Sequence, residues 1–130
     1  MFVLYEGFFI QEDLPHKLAR DVADKHITIN FKPKQAHSLL YGIRAKFKII
    51  GYGNDGVNEG YLVKMLSVET DNQEDGKILW ELYNEWDIPH ITLSLSNEGQ
   101  AKKTKFLEFT PVDGDIIEGI FGGYDTYPIF

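Results

Sequence analysis

Two short segments of this 130-residue chain repeat one pattern of residue types, His26-Ile27-Thr28-Ile29 and His90-Ile91-Thr92-Leu93, set 64 positions apart. In a β-strand, side chains at i and i+2 leave by the same face. Each segment would therefore present an imidazole beside a hydroxyl while its two aliphatic residues anchor the strand in a core. A single His-x-Thr is ordinary: four His and six Thr in 130 residues give roughly 0.2 occurrences by chance. Two of them, before the aliphatic flanks are required, are expected in only about one or two such sequences in a hundred, so the pair is read as one joint site.

Two imidazoles facing one groove can divide acid–base work, because imidazole titrates close to neutral pH. One takes the proton of an attacking oxygen and the other gives a proton to the leaving oxygen. The two hydroxyls can donate to non-bridging phosphate oxygens, whose charge grows during in-line attack at phosphorus. No metal and no cofactor is required. A metal site would call for at least three converging His or carboxylate ligands, and Thr is a poor partner for zinc.

The elements that must hold these residues can be read from hydrophobic periodicity. Met1–Ile10 suits a first strand with one irregularity at Gly7, and a short helical turn is expected near Leu14–Ala23. His26–Phe31 alternates polar and apolar residues and is closed by Pro33. A short helix is expected around Gln35–Tyr41. Arg44–Tyr52 and Tyr61–Thr70 read as the arms of a hairpin whose turn lies within Gly51–Gly60. Lys77–Trp86 carries Ile78, Leu79, Leu82 and Trp86 at helical spacing, stopped by Asp87-Ile88-Pro89. Ile88–Leu95 is the second alternating strand, and Lys105–Thr110 and Ile116–Phe121 complete the set. Strands outnumber helices and connections are short, so the class is α+β with mainly antiparallel sheet, in a single domain over residues 1–130.

Composition bounds the function. The hydrophobic fraction is 43%, there is no cysteine, and 20 acids outweigh 13 Lys and Arg for a net charge of −7. A disulfide framework, a thiolate nucleophile and Cys-type metal sites are thereby ruled out. The acidic balance argues against binding to long duplex nucleic acid, which rests on many phosphate neutralisations. The apolar opening segment contains Glu6, lacks a basic leader and is too short to span a bilayer, so no membrane association is expected and a cytoplasmic location fits. The charges are also segregated: Lys25–Asn54 holds six basic residues and no acid, a second basic cluster lies at Lys102, Lys103 and Lys105, and the tail from Glu108 carries acids only. Such segregation is either solvated surface or a localised anion site.

The duplicated His-hydrophobic-Thr-hydrophobic pattern resembles the 2H phosphoesterase superfamily. Pro89 directly before His90, the hairpin Lys46–Met65 between the motifs and the polar loop with Lys102 after the second motif extend that resemblance over about Lys25–Lys105. It implies a bilobal fold, two antiparallel sheets flanked by short helices around a central cleft, with His26 and His90 as the catalytic pair and Thr28 and Thr92 as phosphate binders. It also implies metal-independent phosphodiester chemistry on 2′,3′-cyclic phosphates or on cyclic or short oligonucleotides. The chain is shorter than many members and has little helix after the first motif. In this it resembles compact branches such as RNA-repair-type domains and phage enzymes that degrade cyclic-oligonucleotide immune signals.

A nucleotide substrate also needs a stacking surface and charge compensation. Tyr5, Phe8, Tyr52, Trp86, Phe121 and Tyr124 are the available aromatics, with Tyr52 and Tyr124 taken as binding candidates and Trp86 expected to pack its own helix. Lys102 is the first choice for a substrate phosphate, with Lys32 and Lys34 near the cleft mouth. His16 and His37 fall outside the repeat and are expected at the surface. Two other functions fit the same residues: a module that captures a nucleotide without cleaving it, and a 2′-5′ RNA ligase-like activity. The chain would act as a monomer or small homo-oligomer.

Overall fold

A computed structural model describes residues 3–130. Its described residues form nine strands and one α-helix in chain order: β1 (Tyr5–Ile10), β2 (Arg20–Asp21), β3 (His26–Phe31), β4 (Arg44–Asn54), β5 (Asn58–Glu69), α1 (Gln73–Glu85), β6 (His90–Leu95), β7 (Thr110–Pro111), β8 (Ile116–Tyr124) and β9 (Pro128–Ile129). The class is α+β, dominated by one antiparallel sheet with strand order β2-β6-β5-β4-β8-β1-β3; β7 pairs with β4 and β9 with β8. The two sheets expected from the sequence are thus a single one, joined where Arg44–Lys48 of β4 pair with Ile116–Ile120 of β8. Apart from the two-residue β2 at one edge, the path falls into two three-stranded halves, β6-β5-β4 and β8-β1-β3, and each motif strand, β6 or β3, is the outer neighbour of the middle strand of its half. The sheet curls so that β3 and β6 come together.

Alternation explains the core. Every second residue of β4 is buried from Ala45 onward, and Phe8, Phe47 and Phe121 are fully buried with ring centroids 5.0 and 5.5 Å from Phe8. The aliphatic residues of both motifs join that core: Ile27, Ile91 and Leu93 are fully buried and Ile29 is nearly so. Helix α1 starts one turn earlier than hydrophobic spacing alone predicts. The Asn72 side chain caps it by accepting from the Asp75 amide at 3.1 Å, and Glu74 and Asp75 favour its positive end. The helix lies against β3 and β5, with Leu79 fully buried and the Tyr83 hydroxyl accepting from the Met65 amide at 3.1 Å.

Three expected elements differ. Leu14–Ala23 is extended rather than helical, because its backbone donors find partners across space: Lys17 N on Glu59, Leu18 N on Ser94 Oγ and Val22 N on the Leu93 carbonyl. Gln35–Tyr41 contains only the 3₁₀ turn Ser38–Leu40, since the His37 amide is taken by the Glu6 carboxylate at 2.7 Å. Lys105–Thr110 is not a strand; a 3₁₀ segment, Ala101–Phe106, precedes the two-residue β7, and Leu107 and Phe109 cover β4 at Gly53 and Gly51. The hairpin arms run further than expected, to a turn at Asp55–Val57 in which Asp55 Oδ1 accepts from the amides of Val57 and Asn58.

Candidate active site

Strands β3 and β6 bring all four motif side chains to one cleft, a cavity of about 520 Å³ lined by His26, Thr28, His90 and Thr92. The two imidazoles are anchored in the same way. His26 Nδ1 lies 2.9 Å from the carbonyl of Asp24 and His90 Nδ1 lies 2.7 Å from that of Ile88, each two residues upstream. A carbonyl can only accept, so Nδ1 carries the proton of the neutral ring and Nε2 keeps its lone pair. No hydrogen bond engages either Nε2 among the described residues. The local routes to this anchor differ: Asp24 sits in the left-handed region at φ 52°, whereas Ile88 is followed by Pro89, which restrains it to extended backbone.

Burial holds the His26 imidazole below its ordinary pKa, the His90 charge adds to that, and the Asp24 carbonyl and carboxylate oppose it. His90 is likewise held down by burial first and by the Lys105 charge after it, against the Ile88 carbonyl. Both rings are therefore predominantly neutral at neutral pH. An arriving phosphate anion would pull their pKa values back up and let one of them carry a proton. Beside His26, the Tyr5 ring stands edge-on with centroids 4.4 Å apart, and burial pushes its phenol up, out of the titratable range near neutrality.

Behind the motifs lies a second duplication, on the middle strand of each half. Glu6-Gly7 on β1 and Glu59-Gly60 on β5 each sit at a register shift, with Gly7 opposite Thr28 and Gly60 opposite Thr92. The two Glu side chains are essentially inaccessible, at 0% and 1% exposure, and each accepts from the residue four after its motif His: Asn30 to Glu6 at 2.9 Å and Ser94 to Glu59 at 2.6 Å. Glu6 also accepts from Tyr41 and from the His37 amide, and Glu59 from Tyr52 and the Lys17 amide, so both buried carboxylates are satisfied. Burial pushes Glu59 up, but the bonds from Ser94, Tyr52 and Lys17 outweigh it and hold the carboxylate below its ordinary range. The glycines allow the close approach. A Cβ on Gly7 would lie 2.1 Å from the Ile27 carbonyl oxygen, and one on Gly60 2.7 Å from that of Ile91.

The other candidate residues divide. Lys102 and Tyr124 line the cleft, together with Tyr5. Tyr52 does not: it faces a separate depression with Glu59 and Tyr61, because its hydroxyl is drawn to the Glu59 carboxylate. Phe8 and Phe121 are core residues. Trp86 corrects its expectation, since it is the C-cap of α1, where the chain turns extended, and lines the cleft instead of packing on its helix. Phe31, half exposed at the end of β3, and Lys105 also line the cleft without having been singled out. Lys105 was readable as one of a basic cluster; the 3₁₀ turn after β6 decides that Lys102 and Lys105 face inward. His16 is exposed beside Asp21, whereas His37 is partly buried with Nδ1 2.8 Å from Glu6. The basic run of Lys25–Asn54 is largely paired surface: Lys25 meets Asp21, Arg44 meets Glu118, Lys46 meets Glu69 and Lys48 meets Asp113.

Among the described residues no three His, Asp or Glu side chains converge as metal ligands would. No helix among them is long and apolar enough to cross a membrane. No family model, curated protein or solved structure matches this chain.

Proposed function

We propose that the chain is a metal-independent phosphodiesterase of the 2H type, acting on the cyclic phosphate of a nucleotide or on a cyclic oligonucleotide. The observation that carries this reading is the pair of imidazoles in one cleft, each tied through Nδ1 to the carbonyl two residues upstream and each with Nε2 open, beside two threonine hydroxyls. The two matching three-stranded halves, β6-β5-β4 and β8-β1-β3, and the paired Glu-Gly registers support treating the two halves of the sheet as related lobes on either side of that cleft.

In hydrolysis of a 2′,3′-cyclic phosphate, one Nε2 takes a proton from water as the water oxygen bonds to phosphorus. The bond from phosphorus to one ribose oxygen breaks, and the protonated Nε2 of the other ring supplies a proton to that oxygen, leaving a phosphomonoester. Thr28 and Thr92 donate to the non-bridging oxygens, and Lys102 and Lys105 offset their charge. Tyr5, Phe31, Tyr124 and Trp86 offer faces for a base, where stacking contributes about 1–3 kcal/mol per base in other single-strand binders.

The test is turnover of 2′,3′-cyclic mononucleotides and cyclic di- and trinucleotides in EDTA by wild type, His26→Ala and His90→Ala. Chelator-resistant cleavage that falls by about 10²–10⁴ in each variant is expected. Cleavage abolished by EDTA, or undiminished in either variant, would overturn the reading. Binding without any product would transfer it to the nucleotide-capturing module.

A further inference from the structure

Behind Thr92 lies a chain of buried polar groups that the reaction above leaves unused. Asn58 is 2% exposed and Thr104 is 0% exposed. Asn58 Nδ2 donates to the Gln100 carbonyl at 2.8 Å and to Thr104 Oγ1 at 3.0 Å. The Gln100 oxygen can only accept, so the amide nitrogen must face it, and both of its hydrogens are then spent. Thr104 Oγ1 is consequently an acceptor toward Asn58. It lies 2.8 Å from Thr92 Oγ1, to which Thr92 donates in the open cleft.

That direction engages the Thr92 proton and leaves the buried Thr104 proton without an acceptor, a costly state for an inaccessible hydroxyl. A hydroxyl both donates and accepts, so rotation of the two groups reverses the bond. Thr104 then donates to Thr92 Oγ1, and the Thr92 proton is released from Thr104, free to turn into the cleft, where its one protein acceptor among the described residues is the long contact to the Ala101 carbonyl at 3.5 Å. With an anion there to receive it, every donor in the series Asn58, Thr104, Thr92 is satisfied. Thr28 has no comparable support, since its hydroxyl has no protein partner among the described residues. Gly60 makes room for the arrangement: a Cβ there would lie 2.5 Å from the Thr104 methyl carbon.

We propose that Thr104, held by Asn58, is a positioning residue that turns the Thr92 hydroxyl into a donor for an oxyanion in the cleft. The inference rests on the phosphodiesterase reading only for what carries that anion. The two are separable because inorganic phosphate is a probe that needs no turnover.

The experiment measures phosphate affinity by ³¹P NMR titration for wild type, Thr104→Val, Thr104→Ser, Thr92→Val and the Thr92→Val/Thr104→Val double variant, with cyclic-phosphate turnover in parallel. Thr104→Val, which keeps the shape and removes the hydroxyl, is expected to weaken phosphate about tenfold, and Thr104→Ser to restore it to within about threefold. In the Thr92→Val background, loss of the Thr104 hydroxyl should change nothing further, which a purely structural residue would not reproduce. Thr104→Ala, which cannot clash, serves if the valine variant does not fold. Wild-type affinity in Thr104→Val, or losses that add to those of Thr92→Val, would overturn the proposal while leaving the phosphodiesterase reading standing. A wild-type protein that binds phosphate through this chain yet cleaves nothing in the panel would support the proposal and sink that reading alone.

Discussion

Gly7→Ala tests whether the approach of β1 to β3 sets the position of the first motif. The new Cβ would lie 2.1 Å from the Ile27 carbonyl oxygen and 2.9 Å from the Thr28 Cα, both backbone atoms that no side-chain rotation can clear. Real Cβ contacts essentially never fall below 3.0 Å, so β3 must retreat by about 1 Å, a displacement that costs roughly a hundredfold in rate when it misplaces reacting groups. Ile27 and Ile29 are buried in the core, so the retreat also strains packing, by about 1–3 kcal/mol. At Gly60 the corresponding distances are 2.7 Å to the Ile91 oxygen and 2.5 Å to the Thr104 methyl. A shift of only a few tenths of an ångström suffices there, part of it by a side chain, and about a tenfold loss is expected. The assay pairs urea unfolding with kcat/KM on the cleaved cyclic phosphate under conditions where each variant is fully folded. If Gly7→Ala retained both stability and kcat/KM within twofold, or proved milder than Gly60→Ala, the reasoning from close approach to site geometry would be refuted.

Three further outcomes follow from electrostatics and from chain entropy. Because both imidazoles are held below their ordinary value of 6.5 in the free protein, the bell of kcat/KM against pH should peak on the acid side of 6.5, and that of kcat, with the phosphate anion bound, should lie at higher pH. Lys105→Met removes a positive charge that disfavours the His90 imidazolium, so the His90 pKa rises and its limb of the kcat/KM profile moves to higher pH; an unmoved limb would contradict the assignment. Gly76 lies inside α1, and a Cβ there would meet only the Thr70 methyl at 3.4 Å. Gly76→Ala should therefore stabilise by about 0.5–1 kcal/mol in urea unfolding with turnover unchanged, which makes it a control for the other two glycines.

The local content of the chain was written in its sequence. A period of two residues placed Ile27, Ile29, Ile91 and Leu93 in the core and the His and Thr of each motif on the opposite face, because strand geometry fixes that alternation whatever lies beside the strand. The α1 pattern was legible from its helical spacing, and the hairpin turn from Gly53-Asn54-Asp55-Gly56, residue types that favour turns. What the motifs would meet was not. Glu6 precedes His26 by 20 residues and Glu59 precedes His90 by 31, so no fixed spacing links the two Glu-Gly pairs to their motifs, and only lateral strand pairing reveals that they occupy equivalent places. Tyr52 and Trp86 exchanged expected roles because a buried carboxylate drew one away and a helix end turned the other inward. Leu14–Ala23 lost its helix to acceptors on β5 and β6 that lie more than 40 positions along the chain. Each of these differences is a contact between residues remote in sequence. Periodicity says which face a side chain takes; the tertiary structure says what stands across from it.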